Sequence, residues 1–267
     1  MDREKKKKIL ISLIVIFGII LIAAGGYLLA KLFGLFRTGE TYKNVQESYA
    51  SSLETSASSA EGGTTQGETS APAENPIDFK SLRAENPEVY SWIEIPDTNV
   101  NYPVLQSTED DNFYLDHDVY KNYSFPGAIY SQSMNKRDYS DRVTVLYGHN
   151  MLDGSMFADL HKFRDKDFFD SHKYFYVYTP TRKLTYEVVS AYEYDDRHIM
   201  NSFNFKDDKV FKEWLSAAQN PHSLYSNVRT DVKLDLNSKM LVLSTCLNSG
   251  DGRFILQGVL IKDEQTK

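Results

Sequence analysis

The chain has 267 residues and a formal net charge of −7, which leaves room for one medium-sized domain with appendages. The acidic balance argues against nucleic acid as a partner, because binding to phosphates needs a basic surface. A single cysteine excludes an intramolecular disulfide framework and a cysteine-rich metal site. That cysteine is therefore either a small buried apolar residue or a nucleophile.

The N-terminus has the pattern of a membrane anchor. Residues 1–8 carry five Lys or Arg side chains, and residues 9–30 then run for 22 positions without a charge. An apolar helix of about 20 residues crosses a bilayer core of about 30 Å. Because the basic residues precede the span, the positive-inside rule predicts a cytoplasmic tail at 1–8, a transmembrane signal anchor at 9–30 and an outward-facing remainder. A cleavable signal peptide is the alternative, since small residues occupy 23–26.

The region after the anchor has the composition of a tether. Residues 49–75 consist mainly of Ser, Thr, Gly, Ala and Glu, and they offer almost nothing to bury. We therefore expect a disordered extracytoplasmic tether over 31–76, although 31–48 could instead form a short juxtamembrane helix. The folded domain is expected at 77–267.

The folded part has the pattern of a β-rich domain. Short helical turns, broken at Pro87, lead into a strand that ends at Ile95. One amphipathic helix is predicted at 207–219, where Phe211 and Trp214 share a face. Short apolar runs separated by turn residues favour a barrel or sandwich of mainly antiparallel strands. These runs lie at 99–106, 127–133, 142–150, 174–179, 183–194, 239–246 and 254–262.

Three reactive side chains stand where predicted strands begin or end. A buried strand ends at Cys246, and Arg253 begins the next strand after a short turn, which brings it back towards the cysteine. An earlier apolar strand ends just before His149, where Gly148 permits a sharp turn. The sequence therefore predicts that these three groups meet at one end of the barrel.

These side-chain types fit thiol-based acyl transfer. The thiolate of Cys246 is the nucleophile, and the imidazole of His149 can take or give a proton. Attack on a peptide carbonyl produces an oxyanion, for which Arg253 supplies charge and a rigid fork of donors. His149 then protonates the leaving amine while the acyl group stays on Cys246.

The motifs LYGHN, LSTC and GRF, in this order behind an apolar anchor, resemble the sortases. The resemblance extends over about residues 77–262. It implies a mainly β fold, a closed eight-stranded sortase-type barrel with N-terminal helices, and catalytic residues at His149, Cys246 and Arg253. The IPDTNVNYPVLQ segment, and the long helix inserted before the cysteine strand, resemble class B members in particular.

The resemblance also implies substrates and partners. Ser244, Tyr147 and Leu115 would line a groove for sorting-signal peptides of secreted surface proteins. The enzyme would act as a cysteine transpeptidase on the outer side of the cell membrane, with peptidoglycan or a pilin supplying the acceptor amine. Leu247 stands where some class B relatives carry a polar residue, so an Asn-Pro-x-Thr-like pentapeptide and related motifs stay open as the signal. No cofactor and no metal are implied.

Two other classes of protein fit parts of the pattern. A papain-like or cell-wall cysteine hydrolase would place its cysteine at a helix N-terminus and before the histidine, whereas here His149 comes before Cys246. A tethered barrel that only binds ligands would bury the cysteine in its core. The other histidines are interpreted as surface or loop residues without metal-ligand spacing, so no zinc site is predicted. They are His117, His161, His172, His198 and His222.

Overall fold

The computed structural model describes residues 3–50, 72–247 and 250–267, which form a long N-terminal helix and a β-barrel with helical insertions. The strands of this part are β1 (Val89–Glu94), β2 (Asn101–Leu105), β3 (Ile129–Tyr130), β4 (Val143–Tyr147), β5 (Tyr174–Thr179), β6 (Arg182–Tyr194), β7 (Ser226–Val228), β8 (Met240–Cys246) and β9 (Arg253–Gln265). Its helices are α1 (Arg3–Tyr49), α2 (Phe79–Glu85), α3 (Lys166–Ser171), α4 (Ile199–Ser202) and α5 (Asp208–Gln219). Short 3₁₀ helices cover Phe113–Leu115 and Ala158–Arg164.

Eight of the described strands close into a barrel. The order is β5-β1-β2-β3-β4-β8-β9-β6, and β6 pairs again with β5, so the sheet closes on itself. Strand β7 adds a short antiparallel pairing to β6 outside this ring. The pairs β2–β3 and β4–β8 are parallel, and the other pairs are antiparallel. The closed eight-stranded barrel expected from the resemblance is confirmed, and closure leaves no long unpaired edge.

Apolar side chains cover both faces of the sheet formed by β4, β8 and β9. Leu241 and Leu243 belong to the cluster inside the barrel, whereas Val242 belongs to the cluster on the outer face. This alternation follows the two-residue period of a strand. Helix α5 packs Phe211 and Trp214 on the outer cluster. Because both faces are buried, the strand leading to the cysteine is a continuous apolar run and not an alternating one.

The amphipathic helix predicted at 207–219 is confirmed as α5. Asp207 is its N-cap, and the Asp207 carboxylate accepts hydrogen bonds from the backbone N–H groups of Lys209 and Val210. Such a cap satisfies donors that the first turn of a helix leaves without partners. The helix therefore begins where its sequence carries both the capping residue and the first apolar positions.

For residues 31–48, the structure has the helix that was the alternative to a tether. Helix α1 continues to Tyr49, and the side chains of Tyr42 and Val45 are buried against the barrel. The hydroxyl of Tyr42 donates a hydrogen bond to the carbonyl oxygen of Gly127 at 2.8 Å. Composition hid this docking because it depends on a few side chains on one helical face, surrounded by charged and small residues.

The predicted end of the tether at residue 76 is also corrected. The Ala73 backbone pairs with Thr266, and the amide of Asn75 donates to the carbonyl oxygen of Thr179 at 2.7 Å. The chain therefore returns to the barrel before residue 77. Residues 51–71, the centre of the predicted tether, lie outside the described part of the chain.

Helix α1 also contains the predicted anchor. Within the described residues, the segment Leu10–Leu29 is long and apolar enough to cross a membrane, with a mean hydropathy of 2.5 and no burial against protein. Its position matches the span predicted at 9–30. A signal sequence near an N-terminus satisfies the same criteria of length and hydropathy, so orientation and cleavage stay predictions.

We expect Gly258→Ala to destabilise the barrel. A Cβ atom at Gly258 in β9 would lie 2.5 Å from the ring of Phe175, which is fully buried. Over-packing of this kind costs about 1–3 kcal/mol, which urea unfolding should detect as a lower free energy of unfolding. Combining Gly258→Ala with Phe175→Leu should cost less than the sum of the two single changes. Strictly additive costs would contradict the role given to this contact.

Candidate active site

Cys246 and Arg253 face each other at the end of the β8–β9 ladder. They are direct partners in the antiparallel register, and Nη1 of Arg253 donates a hydrogen bond to the sulfur of Cys246 at 2.7 Å. Gly250 and Gly252 in the connecting turn have φ values of 84° and 91°, a conformation that glycine adopts at little cost. The predicted proximity of the cysteine and the arginine is therefore confirmed.

The parallel pairing of β4 with β8 brings the His149 segment to the same end. Tyr147 is the register partner of Ser244, and the N–H of Gly148 donates to the carbonyl oxygen of Ser244 at 3.1 Å. Cys246 lies two residues after Ser244 at the end of β8, and His149 lies two residues after Tyr147, just beyond the end of β4. The strand pairings therefore bring the segments that carry Cys246, Arg253 and His149 to one end of the barrel.

The imidazole of His149 is oriented by a main-chain carbonyl. Its Nε2 lies 2.9 Å from the carbonyl oxygen of Leu115. Because a carbonyl only accepts, Nε2 carries the hydrogen, and this contact fixes the tautomer of the neutral ring. The ring also stacks on Phe125, with 5.9 Å between centroids and 19° between planes. Leu115 thus contacts the histidine through its backbone, while its side chain is exposed.

Gly148 is required by a close approach and not by the sharp turn that the sequence suggested. It does not have a positive φ. A Cβ atom at this position would lie 2.5 Å from the Ile129 side chain and 2.8 Å from the ring of Phe157. The strand therefore passes close to two buried side chains immediately before His149.

Polar and aromatic side chains extend from Cys246 along β8 and β4. Ser244 is buried two residues before the cysteine, on the same face of the strand. The hydroxyl of its neighbour Tyr147 is buried without a hydrogen-bond partner among the described residues. Burial raises the pKa of Tyr147 and also raises the pKa of Tyr130, whose ring lies 5.6 Å away, to about 12. Both phenols are therefore neutral at physiological pH.

Sequence reasoning missed Tyr130 and misinterpreted His161. Tyr130 lies in the two-residue strand β3, which is too short to give a periodic signal. His161 is not a surface residue: it is half-buried, and its Nε2 lies 3.0 Å from the carbonyl oxygen of Cys246. Its 3₁₀ helix lies 85 residues before the cysteine, so no local pattern could connect the two.

The surroundings of the site are open on one side and contain no evident metal cluster. An open cleft of about 790 Å³ borders Arg253, with Leu247 and Tyr194 among its lining residues. Across the described ranges, no group of three or more His, Cys, Asp or Glu side chains is arranged to hold a metal ion.

Comparisons with known proteins agree on one family. Residues 93–261 match the family model described as a sortase domain. The chain is 32% identical to sortase B of Listeria monocytogenes over 187 residues, which is 69% of this chain and 74% of the relative. The crystal structure of Bacillus anthracis sortase B in complex with AAEK1 has a TM-score of 0.69 and 28% identity, and the match covers 86% of this chain and 99% of that chain.

A further solved structure is similar over the barrel. A class B sortase of Streptococcus pyogenes involved in pilus biogenesis has a TM-score of 0.60 and 28% identity, with 69% of this chain and 98% of that chain covered. The family match extends from the end of β1 into β9 and so includes the residues gathered at the end of the barrel. The chain therefore belongs to the sortase family as a class B member, a cysteine transpeptidase of surface proteins.

Proposed function

We propose that this class B sortase cleaves the C-terminal sorting signal of secreted surface proteins, holds the acyl fragment on Cys246 and transfers it to an amine of the cell wall. The observation that carries the proposal is the 2.7 Å contact between Arg253 and the sulfur of Cys246. A thiol beside a fixed cation suits a reaction in which a thioester forms and negative charge develops on a carbonyl oxygen.

Cys246 is the proposed nucleophile and Arg253 the proposed oxyanion partner. The sulfur attacks the scissile carbonyl, and the C–N bond then breaks to leave a thioester and a free amine. The negative charge develops on the oxygen of the carbon that bonds to the sulfur, so a guanidinium that contacts the sulfur lies within reach of that oxygen. The acceptor amine then attacks the thioester, forms a new amide and releases the thiol.

His149 is the proposed proton carrier. Because the carbonyl of Leu115 takes the Nε2 hydrogen, Nδ1 is the ring atom that exchanges protons. Nδ1 first accepts the thiol proton of Cys246 and delivers it to the leaving amine. It later accepts a proton from the attacking amine and returns it to the released sulfur, so no proton is gained or lost over the cycle. The stacked ring of Phe125 limits rotation of the imidazole during these steps.

The groove for the sorting signal is proposed to include Ser244, Tyr147 and Leu115. Ser244 and Tyr147 are register partners, and Ser244 lies two residues before Cys246, so a peptide lying along β4 and β8 passes them before it reaches the sulfur. The Leu115 side chain is exposed beside the imidazole. The ring of Tyr130 next to Tyr147 extends the same wall.

The acceptor amine decides between two functions of the same site. Similarity to the Streptococcus pyogenes enzyme involved in pilus biogenesis supports a pilin amine as the alternative to a peptidoglycan amine. The open cleft of about 790 Å³ beside Arg253 is the proposed approach for either acceptor. A cysteine hydrolase would instead transfer the acyl group to water, which a product analysis distinguishes.

The catalytic domain is proposed to lie outside the cell membrane. Residues 1–8 carry the basic cluster, and the segment Leu10–Leu29 follows it, which supports a cytoplasmic N-terminus and an uncleaved anchor. Cell-wall amines and secreted surface proteins are both available on that side. The barrel would then remain attached to the membrane through α1.

Cys246→Ala should abolish cleavage and covalent adduct formation while the barrel stays folded. The thiol is half-buried at a strand end, so its removal leaves no large cavity. Mass spectrometry of the protein incubated with Asn-Pro-x-Thr-like peptides should detect a thioester adduct only with the parent chain, and added amines should convert it to an amide. Peptide cleavage by the alanine variant, with circular dichroism unchanged, would refute the assignment.

Arg253→Lys should lower kcat by about 10²–10³-fold and change KM less, because an oxyanion donor acts mainly in the transition state. Lysine keeps the charge but loses the planar fork that reaches both the sulfur and the oxyanion. Alkylation of Cys246 by iodoacetamide should continue and serves as the control for an intact thiol. A near-normal kcat, or a change confined to KM, would contradict the oxyanion role.

Protease added to intact protoplasts should remove the barrel and spare the first eight residues. The charge excess that sets this orientation lies wholly before the span. Immunoblotting with an antibody against residues 1–8 and another against the barrel reads out the two sides. A soluble, shortened protein in the medium would contradict the uncleaved anchor.

A further inference from the structure

The main-chain carbonyl of Cys246 is held by two side chains from different elements. The amide of Asn150 donates to this oxygen at 3.1 Å, and Nε2 of His161 lies 3.0 Å from it. Asn150 directly follows His149, whereas His161 lies in the 3₁₀ helix Ala158–Arg164. Neither contact belongs to the strand pairing that closes the barrel. Asn150 follows the last paired residue of β4, and His161 lies in a 3₁₀ helix.

Asn150 replaces a backbone hydrogen bond that the parallel ladder would otherwise make. The N–H of Gly148 donates to the carbonyl of Ser244, so continued pairing would direct the N–H of Asn150 to the carbonyl of Cys246. The chain turns away instead, and Asn150 pairs with Met156. Its side-chain amide then makes the contact with Cys246. The segment that carries His149 is thereby attached to the residue that carries the thiol.

His161 makes its contact as a neutral ring of fixed orientation. Its ring stacks on Phe254, with 4.8 Å between centroids and 27° between planes. Since Nε2 faces a carbonyl, it carries the hydrogen, and Nδ1 is buried without a partner among the described residues. Burial lowers the pKa of His161, and the hydrogen bond to the backbone of Cys246 opposes this only in part.

The anchored carbonyl lies at the end of β8, where the chain enters the turn to β9. Beyond it, the N–H of Leu247 reaches the carbonyl of Gly252 only at 3.3 Å. Rotation of the peptide group after Cys246 would move the thiol relative to the imidazole, and two donors from fixed elements oppose that rotation. Misplacement of a reacting group by about 1 Å can cost roughly 10²-fold in rate.

We propose that Asn150 and His161 are positioning residues that clamp the carbonyl of Cys246 and so hold its thiol at a fixed place beside His149. This inference rests on the proposed roles of Cys246 and His149. Neither positioning residue exchanges a proton with the substrate. Their effect should appear in kcat, since the peptide groove along β4 and β8 is left intact.

The test compares variants that keep or lose the donor at constant size. Asn150→Asp is isosteric but cannot donate, and His161→Met removes the donor while filling the space. His161→Gln retains an N–H near the position of Nε2. His172 is a matched control, because it is also half-buried, stacks on Phe168 at 3.7 Å and contacts a carbonyl, that of Phe168, at 2.8 Å.

In the full-length protein, Asn150→Asp and His161→Met should each lower kcat roughly 10- to 100-fold with KM for the sorting peptide little changed. His161→Gln should recover most of that loss, and His172→Met should leave kcat unaffected. Equal activities of His161→Gln and His161→Met, or losses confined to KM, would overturn the clamp. The His161 pair decides the matter even if Asn150→Asp fails to fold. Failure of the proposed function is distinguishable, because Cys246→Ala would then retain activity.

Discussion

The site depends on the pairing of β8, which has a parallel neighbour on one side and an antiparallel neighbour on the other. The antiparallel pairing with β9 brings Arg253 opposite Cys246, and the parallel pairing with β4 brings the His149 segment to the same level. Both relations are set by register, so a slip of one residue would turn every side chain to the opposite face. Burial of both faces of β8 makes such a slip costly and so fixes the position of the sulfur at the end of the barrel.

The groups of the site lie where the regular ladder ends, and this has a physical consequence. Backbone carbonyls beyond the last ladder bond need other partners, because buried polar groups without partners are costly. Cys246 presents such a carbonyl, which accepts hydrogen bonds from the amide of Asn150 and the imidazole of His161. The carbonyl of Leu115, at the end of a 3₁₀ helix, accepts one from His149. The same contacts that satisfy the backbone also orient the side chains used in the reaction.

Sequence reasoning was most successful where a feature is local or repeated. Strand ends at Cys246 and His149, the returning strand at Arg253 and the amphipathic helix α5 follow from runs of neighbouring residues. Tyr130 and His161 could not be found in that way, because each reaches the site through contacts between segments far apart in the chain. Histidines without a neighbouring motif look alike in sequence, and only the contact with the carbonyl of Cys246 connects His161 to the site.

The docking of α1 was the other feature that composition concealed. A chain of contacts runs from this helix to the carbonyl that orients His149. The hydroxyl of Tyr42 bonds to the carbonyl of Gly127, whose φ is 58°. A Cβ atom at Gly127 would lie 2.4 Å from the carbonyl oxygen of Leu115, the same oxygen that holds the imidazole of His149. Position 127 therefore has no space for a side chain, because the backbone of Leu115 lies directly against it. The orientation of the imidazole thus depends on a close backbone approach beneath it, as well as on the strand that delivers it.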